Sequence, residues 1–169
     1  MIRAGSSRDL LANLASARAI TERITSDLED ATARARFHPE ISPIAWHLGH
    51  VAWQEEVWAL RRLGGRPPID ERLDAVFDPF CSRGNVRGAR LPSLERIRAY
   101  AARVRAETVE AIERSRPDDA LVWTVRFLAN HERQHAESIV AARLHGRIAL
   151  AIDPAPIERP LAKPEGWCD

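Results

Sequence analysis

The sequence has 169 residues, 45% of them hydrophobic, and its 25 basic residues are balanced by 24 acidic ones to a formal net charge of +1. This length predicts one domain large enough to bury its own core. The near-neutral charge excludes the strong basic field of a nucleic-acid-binding or membrane-surface protein.

Two isolated cysteines, Cys81 and Cys168, are too few for a disulfide framework, which indicates a reducing, cytoplasmic compartment. Charges interrupt residues 1–30 and no apolar run approaches the ~20 residues of a membrane helix, so we expect neither a signal peptide nor a membrane anchor.

The first predicted helix begins near Ser7 or Asp9, either of which can cap it, and runs to about Arg36. Pro39 ends this region, because proline lacks an amide proton and restricts the residue before it. Apolar residues recur at three- and four-residue steps and mark the face expected to be buried: Leu10, Leu14, Ala17, Ile20, Ile24 and Leu28.

The second predicted helix has clear signals at both ends. Ser42 is a good cap, Pro43 suits the first helical position, and the glycines at 64–65 mark the end. This helix places His50 on its buried stripe, whereas His47 falls on the adjoining strip, where either a structural role or contact with a metal ligand is expected. The buried stripe comprises Trp46, His50, Trp53, Val57 and Leu60.

A long connection over residues 65–91, rich in proline and glycine, separates the second and third predicted helices. Connections of this length are uncommon inside a compact domain and are often functional, and this one can cross the bundle. The third helix is predicted from Pro92 and Ser93 to about Arg116, and the fourth from about Ala120 to Leu144 or His145. The pattern therefore predicts an all-α, four-helix bundle over residues 1–150 with a long crossover loop, followed by a proline-rich tail over 151–169.

The fourth predicted helix carries His131 and His135, which project from one face because they are four residues apart. Both lie on the inward stripe, where buried imidazole nitrogens need partners, and one metal ion satisfies both. Zinc, iron, nickel and copper all suit imidazole. We expect the bundle to bring His50 to this pair, although a single histidine on a buried stripe is more often an ordinary core residue.

The same segment matches the pattern H-E-x-x-H of zinc peptidases, in which the glutamate is a general base. The extended form of that pattern requires glycine at 138 and histidine at 141, whereas this chain has Ser138 and Ala141. Little chain follows to supply a third ligand, and no strands frame a protease cleft. A peptidase is therefore the weaker interpretation.

Two separated segments together resemble a known family. The first reads Ser42-Pro43-x-x-Trp46-His47-Leu48-x-His50, followed by Gln54-Glu55-Glu56, and the second reads His131-Glu132-x-Gln134-His135-x-Glu137. In this order they resemble the DinB-like domain of the sulfoxide synthases of ergothioneine biosynthesis, which are non-haem iron enzymes. The resemblance covers most of the chain, about residues 8–148.

The resemblance implies a DinB-like four-helix bundle in which three histidines hold Fe(II). Carried onto this sequence, the ligands are His50, His131 and His135, and open coordination positions remain for a thiolate, for O₂ or water, and for a second substrate. Gln134 matches a family position close to the substrate imidazole. In the long connection, the arginines are either solubilising or candidates to grip a substrate carboxylate bidentately: Arg83, Arg87 and Arg90.

The family synthases carry a second domain, which resembles formylglycine-generating enzymes and supplies a catalytic tyrosine. The single tyrosine here, Tyr100, lies in the third predicted helix and cannot be equated with it. One hypothesis is therefore a split synthase with a separate formylglycine-generating-enzyme-like subunit; the resemblance also makes a homodimer an expectation to test. Two alternatives stay open: a zinc- or nickel-dependent thiol S-transferase, in which the metal lowers the pKa of a bound thiol, and a non-catalytic, metal-stabilised binding module.

Overall fold

The structure, a computed structural model, describes residues 6–82, 87–88 and 90–150, so the predicted tail lies outside the described residues. None of the described residues belongs to a β-sheet, which confirms the predicted all-α class. None of the helices in this part of the chain has the length and apolarity to cross a bilayer. The helices are α1 (Ser7–Arg23), α2 (Asp30–Arg34), α3 (Ile44–Glu55), which continues in π-helical geometry over Glu56–Leu63, α4 (Asp74–Phe77), α5 (Leu94–Arg114) and α6 (Asp119–His145).

The start of α1 corrects the predicted cap. Ser6 occupies the N-cap position, and its hydroxyl accepts from the amide of Asp9 at 3.2 Å. The Asp9 carboxylate in turn accepts from the Ser6 amide at 3.0 Å, so the two residues form a capping box. Ser7 and Asp9, the predicted caps, are the first and third residues of the helix.

The end of α1 corrects the first predicted helix, which does not run to Arg36 but stops at Arg23. Two distant arginines bind carbonyl oxygens just after the last residue of the helix, where carbonyls lack partners within the helix. Arg143 donates to the Ile24 carbonyl at 3.0 Å, and Arg98 donates to the Thr25 carbonyl at 2.7 Å. These tertiary hydrogen bonds stabilise the turn, although the apolar sequence pattern would permit a continuous helix.

The second predicted helix is α3 with its π-helical continuation. Pro43 rather than Ser42 takes the N-cap position, and the Ser42 hydroxyl instead accepts from Arg87 at 3.3 Å. Gly64 follows the last helical residue, as predicted. Gly65 then adopts a φ of +63°, a left-handed conformation in which glycine is favoured because it has no Cβ.

The long connection lets α3 and α5 run side by side in the same direction. Glu55 of α3 pairs with Arg105 of α5, and further along both segments Arg66 pairs with Glu107 at 3.0 Å. Residue numbers therefore rise together along the two helices, which is the geometry of a crossover and not of a hairpin. This confirms the predicted crossover loop between the second and third long helices.

A buried ionic network joins all four long helices at one level of the bundle. It consists of Arg18 from α1, Glu55 from α3, Arg105 from α5 and Glu132 from α6. Arg18 Nε lies 2.6 Å from Glu132 Oε1, and Arg105 contacts Glu55 at 2.8 Å and Glu132 at 3.0 Å. Each charge is largely withdrawn from water and matched by an opposite one, so removing any one of them would leave an uncompensated buried charge.

Candidate metal centre

Antiparallel packing of α3 against α6 brings the three predicted ligands together. His50 projects from α3 towards His131 and His135 on α6, and one nitrogen of each ring can be chosen so that all three lie within 4.8 Å of one another. The His50 ring centroid lies 5.1 Å from that of His131 and 4.8 Å from that of His135. His50 is buried, with 4% of its surface exposed, while the other two rings are half-buried.

The orientation of the His50 ring is fixed by its surroundings. Its Nδ1 lies 2.8 Å from the carbonyl oxygen of Phe77. Because a carbonyl can only accept, Nδ1 carries the proton and Nε2 keeps its lone pair. The ring of Trp46 stacks on the imidazole at a centroid distance of 4.6 Å and an angle of 9°, and Trp53 stacks at 5.9 Å. His50 is thus held with one nitrogen free.

The same two tryptophans anchor α4, the short helix that supplies the Phe77 carbonyl. Trp46 donates from its indole nitrogen to the Val76 carbonyl at 3.0 Å. Trp53 donates to the Asp74 carboxylate at 2.6 Å, which also pairs with Arg61 at 2.9 Å. The stacking partners of His50 and the anchors of its hydrogen-bond acceptor are therefore the same side chains.

His47 lies beside the cluster and contacts one of its rings. It is 6% exposed, and its Nδ1 lies 2.8 Å from Nδ1 of His135. Its Nε2 is buried and has no hydrogen-bond partner among the described residues. The position of His47 on α3 did not identify His135 as its partner, since His135 lies on another helix.

The histidines of the cluster are neutral at neutral pH. Burial lowers the pKa of His131 to about 4, and the nearby His50 acts in the same direction. Burial lowers the pKa of His135 to about 2 and that of His47 to about 3, again assisted by neighbouring imidazoles. Burial likewise lowers the pKa of His50. Neutral imidazoles offer lone pairs, which is the form that binds metals.

An aromatic group flanks the cluster beside His131. Phe127 stacks on the His131 ring at a centroid distance of 5.7 Å, and Trp123 stacks on Phe127 at 5.3 Å. Trp58 contacts both of these rings, and the guanidinium of Arg62 lies 4.3 Å from the centroid of the Trp58 ring. These rings lie at one side of the cluster, next to His131.

Glu132, the glutamate of the H-E-x-x-H pattern, does not reach into the cluster. Only 1% of its surface is exposed, and its carboxylate pairs with Arg18 and Arg105. A general base must be free to reach a water or substrate proton. The position of Glu132 therefore gives the peptidase interpretation no support.

The predicted substrate-binding residues lie on α6 and in the long connection, and their role stays a prediction. Gln134 is exposed on α6, between the two histidines of that helix. The guanidinium of Arg87 lies 4.0 Å from the Trp46 ring centroid and donates to nearby loop carbonyls, which is a structural role in the free protein. Arg90 is exposed, and Arg83 lies outside the described residues.

The fold and the cluster define a class of protein: a four-helix bundle with a crossover loop and histidines gathered between two of its helices. The family comparison is consistent with this class. The sequence profile of the DinB superfamily matches residues 13–139, a span that contains the whole histidine cluster. The chain belongs to the DinB superfamily, as the resemblance of the two histidine segments predicted.

Three curated relatives carry the name hercynine oxygenase. The protein from Mycolicibacterium thermoresistibile is 33% identical over 142 residues, which is 79% of this chain and 30% of the relative. The Mycobacterium tuberculosis protein is 33% identical over 143 residues, covering 81% and 32%. The Mycolicibacterium smegmatis protein is 32% identical over 142 residues, covering 80% and 32%. The chain thus spans about a third of the length of these relatives.

Proposed function

We propose that this protein binds a transition metal ion, most favourably Fe(II), through His50, His131 and His135. The observation that carries the proposal is the convergence of three neutral imidazoles, one buried and two half-buried, from two helices, with candidate ligand atoms within 4.8 Å of one another. Three protein ligands would leave coordination positions open for small molecules. Imidazole suits Fe(II), and it suits Zn(II) and Ni(II) as the alternatives.

The side chains present fit a metal ion. His131 Nδ1 is buried and has no hydrogen-bond partner among the described residues, and a metal ion would relieve such an unsatisfied nitrogen. Clustering several neutral imidazoles that share few hydrogen bonds is otherwise unfavourable, because burial removes their contacts with water. His50 also has the hydrogen-bonded second nitrogen that is typical of metal-ligating histidines.

The proposed activity is that of the metal-binding part of an oxygenase acting on hercynine, an imidazole compound, or on a close relative of it. The names of the three relatives support this substrate class. Bound Fe(II) would supply the redox chemistry by which O₂ drives carbon–sulfur bond formation with a small thiol. We propose that a formylglycine-generating-enzyme-like domain or subunit completes the substrate pocket, as the family resemblance implies.

The first test is elemental analysis of protein purified without an affinity tag or added metal, followed by anaerobic Fe(II) titration. We expect about one metal ion per chain, lost in His50→Ala and His131→Ala. His145→Ala is the matched control, because His145 lies at the exposed end of α6 and outside the cluster. No metal binding by the wild type under either condition would overturn the proposal.

Metal identity then separates the enzyme classes. Bound iron with hercynine-dependent O₂ uptake in the presence of a thiol, after addition of a formylglycine-generating-enzyme-like partner, supports the oxygenase. Bound zinc or nickel with thiol–electrophile transfer supports the S-transferase, because those ions lower the pKa of a bound thiol without redox chemistry. Loss of folding on chelation without turnover would instead indicate a metal-stabilised binding module.

A further inference from the structure

A fourth histidine, His47, is in direct contact with a proposed ligand. Its Nδ1 lies 2.8 Å from Nδ1 of His135, which is the distance of a hydrogen bond. When both imidazoles are neutral, a single proton lies between the two nitrogens, so that one ring donates and the other accepts. The identity of the donor decides which nitrogen of His135 keeps a free lone pair.

Only one of the two arrangements permits His135 to bind a metal ion. If His47 donates, His135 accepts at Nδ1 and must carry its own proton on Nε2, so neither nitrogen has a free lone pair. If His135 donates from Nδ1, its Nε2 is unprotonated and available. We propose that His47 is a positioning residue, which accepts this hydrogen bond and holds His135 in the tautomer that binds metal through Nε2. The inference rests on the proposed metal centre.

His50 and His135 differ in the kind of partner that sets their tautomers. The partner of His50 is the Phe77 carbonyl, which can only accept, so the tautomer of His50 is fixed with or without a metal ion. The partner of His135 is another imidazole, which can donate or accept. His47 can accept only if its own proton lies on Nε2, a buried atom with no hydrogen-bond partner among the described residues. The tautomer of His47 is therefore coupled to metal binding at His135.

The tautomers can be observed directly by NMR in protein labelled with ¹⁵N-histidine and loaded with Zn(II), a diamagnetic probe ion. Two-bond ¹H–¹⁵N correlations should show His135 protonated on Nδ1 and His47 protonated on Nε2. A packing role alone does not require this pair of tautomers. Protonation of His47 on Nδ1 in the zinc-loaded protein would overturn the proposal.

Variants at residue 47 give a second readout, the Zn(II) affinity measured by chelator competition. His47→Leu fills the space without an acceptor and should weaken Zn(II) binding roughly 10- to 100-fold, the usual effect of removing a partner of a metal ligand. His47→Asn places an amide oxygen near the position of Nδ1 and should remain within about fivefold of wild type. The matched control, His145→Ala, should leave the affinity unchanged.

The outcomes separate this inference from the proposed function. Zn(II) bound equally tightly by wild type and His47→Leu would overturn the role of His47 and leave the metal centre standing. Absence of Zn(II) binding by the wild type would overturn both. If His47→Leu does not fold, the tautomers of the wild-type protein decide the question, since that experiment needs no variant.

Discussion

The ring of Phe77 occupies the space in which a side chain at Gly49 would lie: a Cβ on Gly49 would be 2.1 Å from Cε1 of that ring. The same close approach brings the Phe77 carbonyl oxygen to 2.8 Å from Nδ1 of His50. Because Gly49 has no side chain, α4 can lie against α3. The Phe77 carbonyl of α4 then holds the His50 ring through its Nδ1.

Gly49→Ala should therefore damage both the fold and the metal centre. The Phe77 ring is fully buried, so it can make room only by moving, and overpacking of this kind costs about 1–3 kcal/mol of unfolding free energy. Displacement of its carbonyl would also weaken metal binding at His50. Urea unfolding and a Zn(II) titration measure the two effects.

Gly65→Ala is the matched control for this substitution. Gly65 has a φ of +63°, and a Cβ there would meet no atom within 4 Å. The substitution should cost about 1–2 kcal/mol through backbone strain alone and leave the Zn(II) affinity unchanged. If Gly49→Ala bound Zn(II) as tightly as Gly65→Ala, the proposed link between the glycine and His50 would be wrong.

Local signals predicted most of the fold. Periodic apolar residues marked the four long helices, the glycines at 64–65 marked the end of the α3 segment, and the predicted start at Pro92 and Ser93 matches α5, which Ser93 caps. The two histidine segments identified the superfamily and the three residues that converge. The helix boundaries depend on neighbours in sequence, which is why the sequence shows them. The set of three converging histidines was implied by the family resemblance.

Contacts between distant residues explain what the sequence did not show. The turn after α1 is stabilised by Arg143 and Arg98, which bind carbonyls 119 and 73 residues away. Glu132 reads as part of a zinc motif, yet its carboxylate belongs to the buried ionic network. His47 falls on a strip adjoining the buried stripe of its helix, and only the packing of α6 shows that it contacts His135. None of these partners can be identified from spacing along one helix.

Glu132→Gln should strongly destabilise the protein, because it leaves Arg18 and Arg105 with too little negative charge in a buried setting. Removing one partner of a buried ionic network typically costs about 3–5 kcal/mol. Chemical unfolding in urea measures the loss. The exposed pair of Arg114 and Glu110, at 2.6 Å, is the control, and Glu110→Gln should cost less than about 1 kcal/mol. Similar losses in the two variants would show that the buried network is not a main contributor.

Tyr100→Phe should reduce stability through Glu56. The Tyr100 hydroxyl donates to the fully buried Glu56 carboxylate. The pKa of Tyr100 is well above its ordinary value, mainly because the hydroxyl is buried and also because it donates to this carboxylate. Removing the hydroxyl leaves a buried carboxylate oxygen without this donor, which costs about 1–3 kcal/mol. Urea unfolding at neutral pH tests this. An unchanged unfolding free energy would mean that water or Arg61 replaces the lost hydrogen bond.

The stability of the metal-free protein should fall as the pH drops below about 6.5, because the buried histidines are neutral in the folded state. Burial lowers the pKa of His47 to about 3, so in the window from pH 6.5 down to 3 the unfolded chain binds a proton that the folded protein does not. Acidification therefore favours unfolding.

His47→Leu removes this contribution, and its unfolding free energy should fall less steeply than that of wild type, by up to about 1.4 kcal/mol per pH unit below 6.5. The slopes are measured by urea unfolding at about pH 7.5, 6.5, 5.5 and 4.5, on both sides of the ordinary histidine pKa. Parallel curves for the two proteins would show that His47 is not held neutral by the fold.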